Sequence, residues 1–246
     1  MGKKIVRVPI AEQLLKVLDE QSPSDDEVFI GIDPGIEGAI SVMRVRPNGR
    51  MHLSIFDIPV DKEIRIASGE AIKARRKQAE KKKQKKAVSR TTTRSVYDFK
   101  QLAQFFKSLG TFIPAHRVHV LVEKVVVSLY RLGARKCFAC KRQFGQSPYV
   151  GVAVGIANGM WPMYFHALGW KFNFVDAQKW KKAFGLTKKD KAVSRSVASS
   201  LFKRYNDYFV RVKDHNRAEA AILSVYAWKH RDEVFNAHVS AGGEEG

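Results

Sequence analysis

The sequence predicts a mixed α/β fold with a five-stranded sheet, in which three antiparallel strands are followed by alternating helices and strands. Three observations support this prediction. Short runs rich in β-branched and aromatic residues recur along the chain, and apolar residues at helical spacing lie between the later ones. The first three runs are separated only by short turn signals, which favours antiparallel pairing. The later runs are separated by long helical segments, which favours parallel strands covered by helices.

The three antiparallel strands are predicted in the first quarter of the chain. They are Val28–Asp33, Ala39–Arg46 and Met51–Pro59. A glycine-containing turn joins the first two strands, and a Pro-Asn-Gly turn at residues 47–49 joins the second and third. Three strands joined in this way form a meander.

The remainder of the predicted fold alternates helices with strands. The predicted helices are Val96–Gly110, Tyr149–Leu168, Lys189–Tyr205 and Asn216–Arg231, and the predicted strands are His119–Lys124 and Trp170–Asp176. Gly159 and Pro162 weaken the second helix, because proline lacks the amide proton that an interior helical position donates. This order of elements is the order of the RNase H-like fold.

The chain of 246 residues is long enough for one domain with insertions. We expect an N-terminal extension over residues 1–27, an RNase H-like domain over residues 28–232 and a C-terminal tail over residues 233–246. Within the domain, insertions are predicted at about residues 61–94 and 125–147. No run of 18 apolar residues is present, so we expect no membrane span, and the N-terminus lacks the apolar core of a signal peptide. Two cysteines are typical of a reducing compartment.

The charge of the chain favours a polyanionic partner. It contains 44 Lys+Arg against 24 Asp+Glu, a formal net charge of +20. Phosphate backbones bind such surfaces with release of counterions. Half of the excess lies between Ala71 and Arg94, where eleven Lys and Arg accompany one Glu. This segment has too few apolar residues to face a core, so we expect a solvated helix or a loop that orders on nucleic acid. A basic protein without catalytic activity would have a similar charge.

Three carboxylates occupy positions from which they can meet. Asp33 ends the first predicted strand, Glu123 lies at the end of the fourth, and Glu219 lies in the last helix. In the RNase H-like fold the first and fourth strands are neighbours, so their ends lie together. Packed carboxylates repel one another unless cations lie between them, and oxygen ligands suit Mg²⁺ or Mn²⁺. Two such ions can activate water and stabilise the leaving oxygen of a phosphodiester.

Five motifs together resemble the RuvC family of Holliday junction resolvases. They are Gly31–Gly35 followed by Gly38-Ala39, Phe56–Pro59, Val120–Glu123, Trp180–Leu186 and Lys213–Ala220. The similarity is greatest to the eukaryotic organellar branch, the chloroplast resolvases, where the last motif likewise has a His four residues before a Glu. The resemblance covers roughly residues 28 to 228 apart from the two insertions. Bacterial members have two closing aspartates where this chain has His215 and Glu219.

The resemblance implies that Asp33, Glu123, His215 and Glu219 form a catalytic site with two Mg²⁺ or Mn²⁺ ions. His215 would bind metal or orient the attacking water, and an ordinary histidine at the start of a helix is the alternative. His215 and Glu219 share one helix face because residues four apart are neighbours there. Asp214 is a further candidate, but we favour a helix N-cap for it.

Basic and aromatic side chains are candidates for DNA binding. The resemblance implies that Lys191 contacts a phosphate, and Lys188 and Lys189 flank the same helix start. Within the insertion after Glu123, Arg and Phe side chains suit contact with exposed bases at the crossover. They are Arg131, Arg135, Phe138, Arg142 and Phe144. Cys137 and Cys140 form a single C-x-x-C pair, which would need further ligands to bind zinc, and we expect two ordinary thiols rather than a zinc or redox site.

We therefore expect a Mg²⁺-dependent endodeoxyribonuclease that resolves four-way junctions by paired symmetric incisions in DNA recombination and repair. A four-way junction is two-fold symmetric, so a homodimer is expected. The resemblance implies an organellar nucleoid, in a chloroplast or mitochondrion. The alternatives are an RNase H-fold nuclease that cuts RNA–DNA hybrids or other branched DNA, and a non-catalytic junction-binding protein. An actin-like ATPase is disfavoured because a second phosphate-binding hairpin and an adenosine motif are absent from the sequence.

Overall fold

The structure is a computed structural model that describes residues 9–19, 25–66, 69, 91–125 and 148–236. Its strands are β1 (Glu27–Asp33), β2 (Ala39–Val45), β3 (Met51–Asp57), β4 (Val60–Ile66), β5 (Thr91–Tyr97), β6 (Val118–Lys124) and β7 (Lys171–Asp176). Its α-helices are α1 (Ile10–Asp19), α2 (Phe99–Phe112), α3 (Pro148–Ala167), α4 (Ala177–Ala183), α5 (Lys191–Leu201), α6 (His215–Lys229) and α7 (Arg231–Phe235). Short 3-10 helices cover Ala115–Arg117, Lys203–Phe209 and Val212–Asp214.

The main sheet has the strand order β3-β2-β1-β6-β7. Strands β1, β2 and β3 are antiparallel, whereas β6 pairs parallel with β1 and β7 pairs parallel with β6. The predicted fold class, a mixed five-stranded sheet of RNase H-like order, is therefore confirmed. The two central strands are apolar on both faces because helices cover both sides of the sheet.

The sheet separates two hydrophobic layers. Helices α1, α2 and α3 cover one face, where Phe106 packs edge-on against Trp161 with ring centroids 6.1 Å apart. Ile10 and Leu14 from the N-terminal extension are buried in this layer. Helices α4 to α7 cover the other face, with Trp180 and Tyr226 buried among their side chains.

Helix α6 lies directly on strand β1 because β1 has glycine at the crossing point. A Cβ at Gly31 would lie 2.2 Å from the carbonyl oxygen of Ala220 and 2.5 Å from the backbone nitrogen of Ser224. The hydroxyl of Ser224 also lies 3.0 Å from that of Ser41 in β2, and both are buried. This close contact fixes the helix that carries Glu219 against the strand that ends at Asp33.

A two-stranded ribbon of β4 and β5 is the main feature that the sequence did not predict. Val60 pairs with Tyr97 at one end of the ribbon and Ile66 pairs with Thr91 at the other. The prediction of a solvated helix or loop is therefore wrong for residues 91–94, which are in β5, while residues 71–90 lie outside the described residues. The three threonines at 91–93 are β-branched and favour a strand.

Helix boundaries also differ from the predicted ones. Val96, predicted to begin a helix, lies in β5, and α2 begins at Phe99 because the Asp98 carboxylate accepts a hydrogen bond from the Gln101 amide at 3.0 Å. The helix predicted from Lys189 ends at Leu201, beyond which the chain continues in 3-10 turns. Helix α3 runs through Gly159 and Pro162 without a break. In the described part of the chain, no helix has the length and apolar character needed to cross a membrane.

Candidate active site

Asp33 and Glu123 lie side by side at the ends of two neighbouring parallel strands. Ile32 pairs with Val122 in the register of β1 and β6, so the next residue of each strand is an acid. Burial and, to a smaller extent, the charges of Glu123 and Glu219 together raise the pKa of Asp33 to about 7. The Gly35 amide, 3.4 Å from Asp33 Oδ1, opposes this increase only in part. A carboxyl that titrates near neutral pH is characteristic of functional sites.

Glu123 is held by a tryptophan from helix α4. The indole Nε1–H of Trp180 donates a hydrogen bond to Glu123 Oε2 at 2.9 Å, and the Trp180 side chain is fully buried. Burial raises the pKa of Glu123, whereas the charge of Lys181 and the hydrogen bond from Trp180 lower it, and Glu219 raises it. The indole therefore fixes one oxygen of Glu123.

Glu219 is held by a lysine and a serine. Its Oε2 lies 3.1 Å from Lys181 Nζ, and its Oε1 accepts a hydrogen bond from Ser194 Oγ at 3.2 Å. The charge of Lys181 also lowers the pKa values of Asp33 and Glu123. Lys181 is therefore the cation that all three carboxylates share.

His215 begins helix α6, one turn before Glu219. Its Nε2 lies 2.9 Å from Lys191 Nζ, and its Nδ1 lies 3.4 Å from the carbonyl oxygen of Val212. An ammonium group only donates, so Nε2 accepts and Nδ1 carries the proton. These contacts join His215 to the predicted phosphate-binding Lys191, and its role as a metal ligand or water-orienting group stays a prediction.

Asp214 does not have the capping role that the sequence predicts. It lies at the N-cap position of α6, but its carboxylate makes no capping hydrogen bond there. Instead it accepts hydrogen bonds from the backbone amide of Arg211 at 2.8 Å and from the Arg211 guanidinium at 2.7 Å. Burial acts to raise the pKa of Asp214, but these hydrogen bonds outweigh it and the pKa is lowered. The buried carboxylate thus fixes the turn that precedes His215.

The three carboxylates supply the hard oxygen donors that Mg²⁺ or Mn²⁺ prefers. Their negative charges act on one another, as the raised pKa of Asp33 indicates. However, no three Asp, Glu, His or Cys side chains in the described ranges are gathered closely enough to hold a metal ion together. The donor chemistry fits a divalent cation. In the structure, however, Trp180 binds Glu123 and Lys181 binds Glu219.

Two concave surfaces adjoin the acidic residues. A cleft of about 790 Å³ opens beside Glu123 and is lined by residues 124–125 and 176–179. A groove of about 480 Å³ lies between the loop after Asp33, the ends of β3 and β4, and residues 211–216. The loop is tight, because a Cβ at Gly38 would lie 2.0 Å from the carbonyl oxygen of Asp33. Gly35 has room for a Cβ, so neither space nor backbone conformation requires glycine there.

The predicted DNA contacts are only partly within the described residues. Lys188 and Lys189 are exposed in the turn before α5, where Lys188 has a left-handed φ of 58°, and Lys191 is the first residue of that helix. The remaining candidates lie outside the described residues; they are Arg131, Arg135, Phe138, Arg142, Phe144, Cys137 and Cys140.

Sequence analysis missed the contacts of Trp180 and Lys181 with the acidic residues. In the sequence both residues stand out only as part of the Trp180–Leu186 motif. Strand β7 is parallel to β6 and leads directly into α4, so the start of α4 lies at the same edge of the sheet as Glu123. That topological relation is the signal that identifies the pair.

Comparisons with known proteins give structural similarity only. No family model matches the chain, and no curated protein matches its sequence. One similar solved structure is Thermus thermophilus RuvC in complex with a Holliday junction substrate, with 14% identity, a TM-score of 0.42, and coverage of 85% of this chain and 98% of that chain. Another is Thermus thermophilus RuvC, with 17% identity, a TM-score of 0.43, and coverage of 84% of this chain and 97% of that chain.

Proposed function

We propose that the protein is a structure-selective endonuclease that resolves four-way DNA junctions by phosphodiester hydrolysis. The observation that carries the proposal is the electrostatic interaction of Asp33 with Glu123 and Glu219, whose charges add to burial in raising the pKa of Asp33 to about 7. Placing three partly buried acids where their charges repel one another is unfavourable unless a cation compensates that charge. Such an arrangement is therefore better explained by a catalytic role than by a structural one.

A divalent cation would be held by Asp33, Glu123 and Glu219, with Mg²⁺ or Mn²⁺ expected and two ions per site. When bound, the ions would supply the Lewis acid that activates water and stabilises the leaving oxygen. Trp180 would keep Glu123 oriented, since its hydrogen bond occupies only one carboxylate oxygen. Ser194 would do the same for Glu219.

Branched DNA is the proposed substrate. The net charge of +20 and the exposed lysines beside the acidic residues favour a phosphate backbone. Lys191 would bind a phosphate at the start of α5, where its side chain is exposed. The open space at Gly35 would allow a phosphate to approach the loop after Asp33.

A homodimer would cut both strands of a two-fold symmetric junction. Val152, Ile156 and Met163 are 62%, 49% and 74% exposed and lie on one face of α3. A second copy of the chain is the partner we propose for this face.

An organellar nucleoid, in a chloroplast or mitochondrion, is the proposed location. This proposal rests on the resemblance of His215 and Glu219 to the organellar resolvases.

Cleavage of a labelled synthetic four-way junction in Mg²⁺ tests the proposal. The wild type should make paired symmetric nicks, whereas Asp33→Asn should bind the junction without cutting it. Asp232→Asn is the matched control, because Asp232 is 82% exposed in α7 and its neighbour Arg231 pairs with Glu27 at the opposite end of β1. Equal cutting of an RNA–DNA hybrid would favour a different nuclease, and binding without cutting by the wild type would favour a non-catalytic protein.

A further inference from the structure

The groove of about 480 Å³ adjoins the loop that follows Asp33, and a hydrogen bond joins two of its walls. Gly38 and His215 line it at the side of the candidate active site. The Asn216 amide Nδ2 donates a hydrogen bond to the carbonyl oxygen of Glu37 at 2.6 Å, which ties the helix wall to the loop wall. A molecule in the groove would therefore lie next to the phosphodiester that the proposed site cuts.

The chemistry of the groove suits a nucleotide. Ile36, Ile58 and Val60 give it an apolar surface, while Arg211 and Lys213 line it with cations. Its volume is within the range of small-ligand sites, which starts at about 300 Å³. The face of a base can pack against an apolar surface, and cations bind the phosphate that joins this base to the next nucleotide.

The acidic side chains of the groove have partners that limit their repulsion of a phosphate. The Asp57 carboxylate accepts two hydrogen bonds from the Arg217 guanidinium, both at 2.6 Å. The Asp214 carboxylate is buried against Arg211. Glu37 adds one exposed residue to the wall, where a carboxylate can accept a hydrogen bond from the amino group of a base.

We infer that this groove is a subsite for the nucleotide adjoining the scissile phosphate, with the base against Ile36, Ile58 and Val60 and the phosphate at Lys213. The inference rests on the proposed function, because it takes the site beside the groove to cut a phosphodiester. Burial of about 50 Å² of apolar surface corresponds to about a tenfold gain in binding. Removal of the base from this nucleotide should therefore slow cleavage by about tenfold.

The test combines an abasic substrate with a variant that fills the groove. Wild type is compared on junctions that carry an abasic nucleotide on the 5′ side of the cut, on its 3′ side, or three nucleotides away. Only one flanking position should show the loss. Val60→Trp should cut the intact junction about as slowly as the wild type cuts the abasic one, and should lose no further activity on the abasic junction. If neither flanking position matters, or if the two losses multiply, the subsite is refuted.

Binding measurements separate this inference from the proposed activity. In EDTA, a junction with 2-aminopurine at the flanking position should change fluorescence when it binds the wild type and should not change when it binds Val60→Trp. Lys213→Gln leaves the apolar surface intact and should lower the slope of log affinity against log salt concentration by about 1. A fluorescence change without cleavage in Mg²⁺ would support nucleotide binding in the groove and overturn the nuclease. Cleavage with no fluorescence difference between the two proteins would overturn the subsite alone.

Discussion

Asp33→Asn is expected to stabilise the folded protein above neutral pH in the absence of divalent cations. Burial, Glu123 and Glu219 raise the pKa of Asp33 from an ordinary value of 3.8 to about 7. Between these values the folded protein binds a proton at Asp33 that the unfolded chain has released. The contribution of this proton to stability is complete below pH 3.8 and is lost as pH rises through 7. Asparagine does not titrate, so the variant keeps its stability through this range.

The size of the effect follows from the two pKa values. Each pH unit in the window is worth about 1.4 kcal/mol, so the Asp33 contribution falls by about 3 kcal/mol between pH 4.5 and pH 8. Urea unfolding in EDTA at pH 4.5, 6 and 8 should show the variant gaining this amount relative to the wild type. Asp232→Asn, at an exposed residue of α7, should show no such trend. A difference between Asp33→Asn and wild type that stays constant with pH would refute the raised pKa.

Mg²⁺ should cancel most of this difference in stability at pH 8. A cation at 100 times its dissociation constant stabilises the protein that binds it by about 2.7 kcal/mol. The wild type should gain this stabilisation, and Asp33→Asn should gain much less because its amide lacks the charge that holds the cation. Equal stabilisation of both proteins would exclude Asp33 as a ligand.

Two further predictions concern packing and the pH dependence of cleavage. Gly31→Ala should lower the free energy of unfolding by about 3 kcal/mol, because its Cβ would lie 2.2 Å from the Ala220 carbonyl oxygen; no loss in urea unfolding would contradict this. Gly155→Ala should instead raise the free energy of unfolding by about 0.5–1 kcal/mol, because its Cβ would meet nothing within 4 Å. Trp180→Phe removes the hydrogen bond that lowers the pKa of Glu123, so the acidic limb of the cleavage–pH profile should move to higher pH. An unmoved limb would show that Glu123 does not control that limb.

The main sheet could be predicted because its strands carry strong local signals. Val28–Ile32 and Val118–Val122 are buried and, apart from His119, free of polar side chains, and the turn between β2 and β3 contains Gly49 with a left-handed φ of 77°. The β4–β5 ribbon could not be predicted in the same way. Its two strands are separated by residues 67–90, and charged residues occur in both of them, so the charge pattern dominated the interpretation.

The positions of the acidic residues of the candidate site could be predicted because Asp33 and Glu123 lie at the ends of strongly apolar strands and Glu219 lies in the last long helix. Their partners depend on contacts between distant segments. Lys181 is one of several lysines in its segment, and only the parallel pairing of β7 with β6 brings it to Glu219. The contact of His215 with Lys191 likewise depends on how α5 packs against α6.

The charge at the sheet edge also explains why a cation site is proposed there rather than a purely structural ion pair. Among the described residues, Lys181 is the cation whose charge acts to lower the pKa of Asp33, and it does not prevent the rise to about 7. The compensation by these described residues is therefore incomplete. Because its pKa is raised to about 7, Asp33 is partly protonated near neutral pH, so cation binding that needs its carboxylate would release protons. Affinity for Mg²⁺ should then increase as pH rises toward 8, as Asp33 loses its proton.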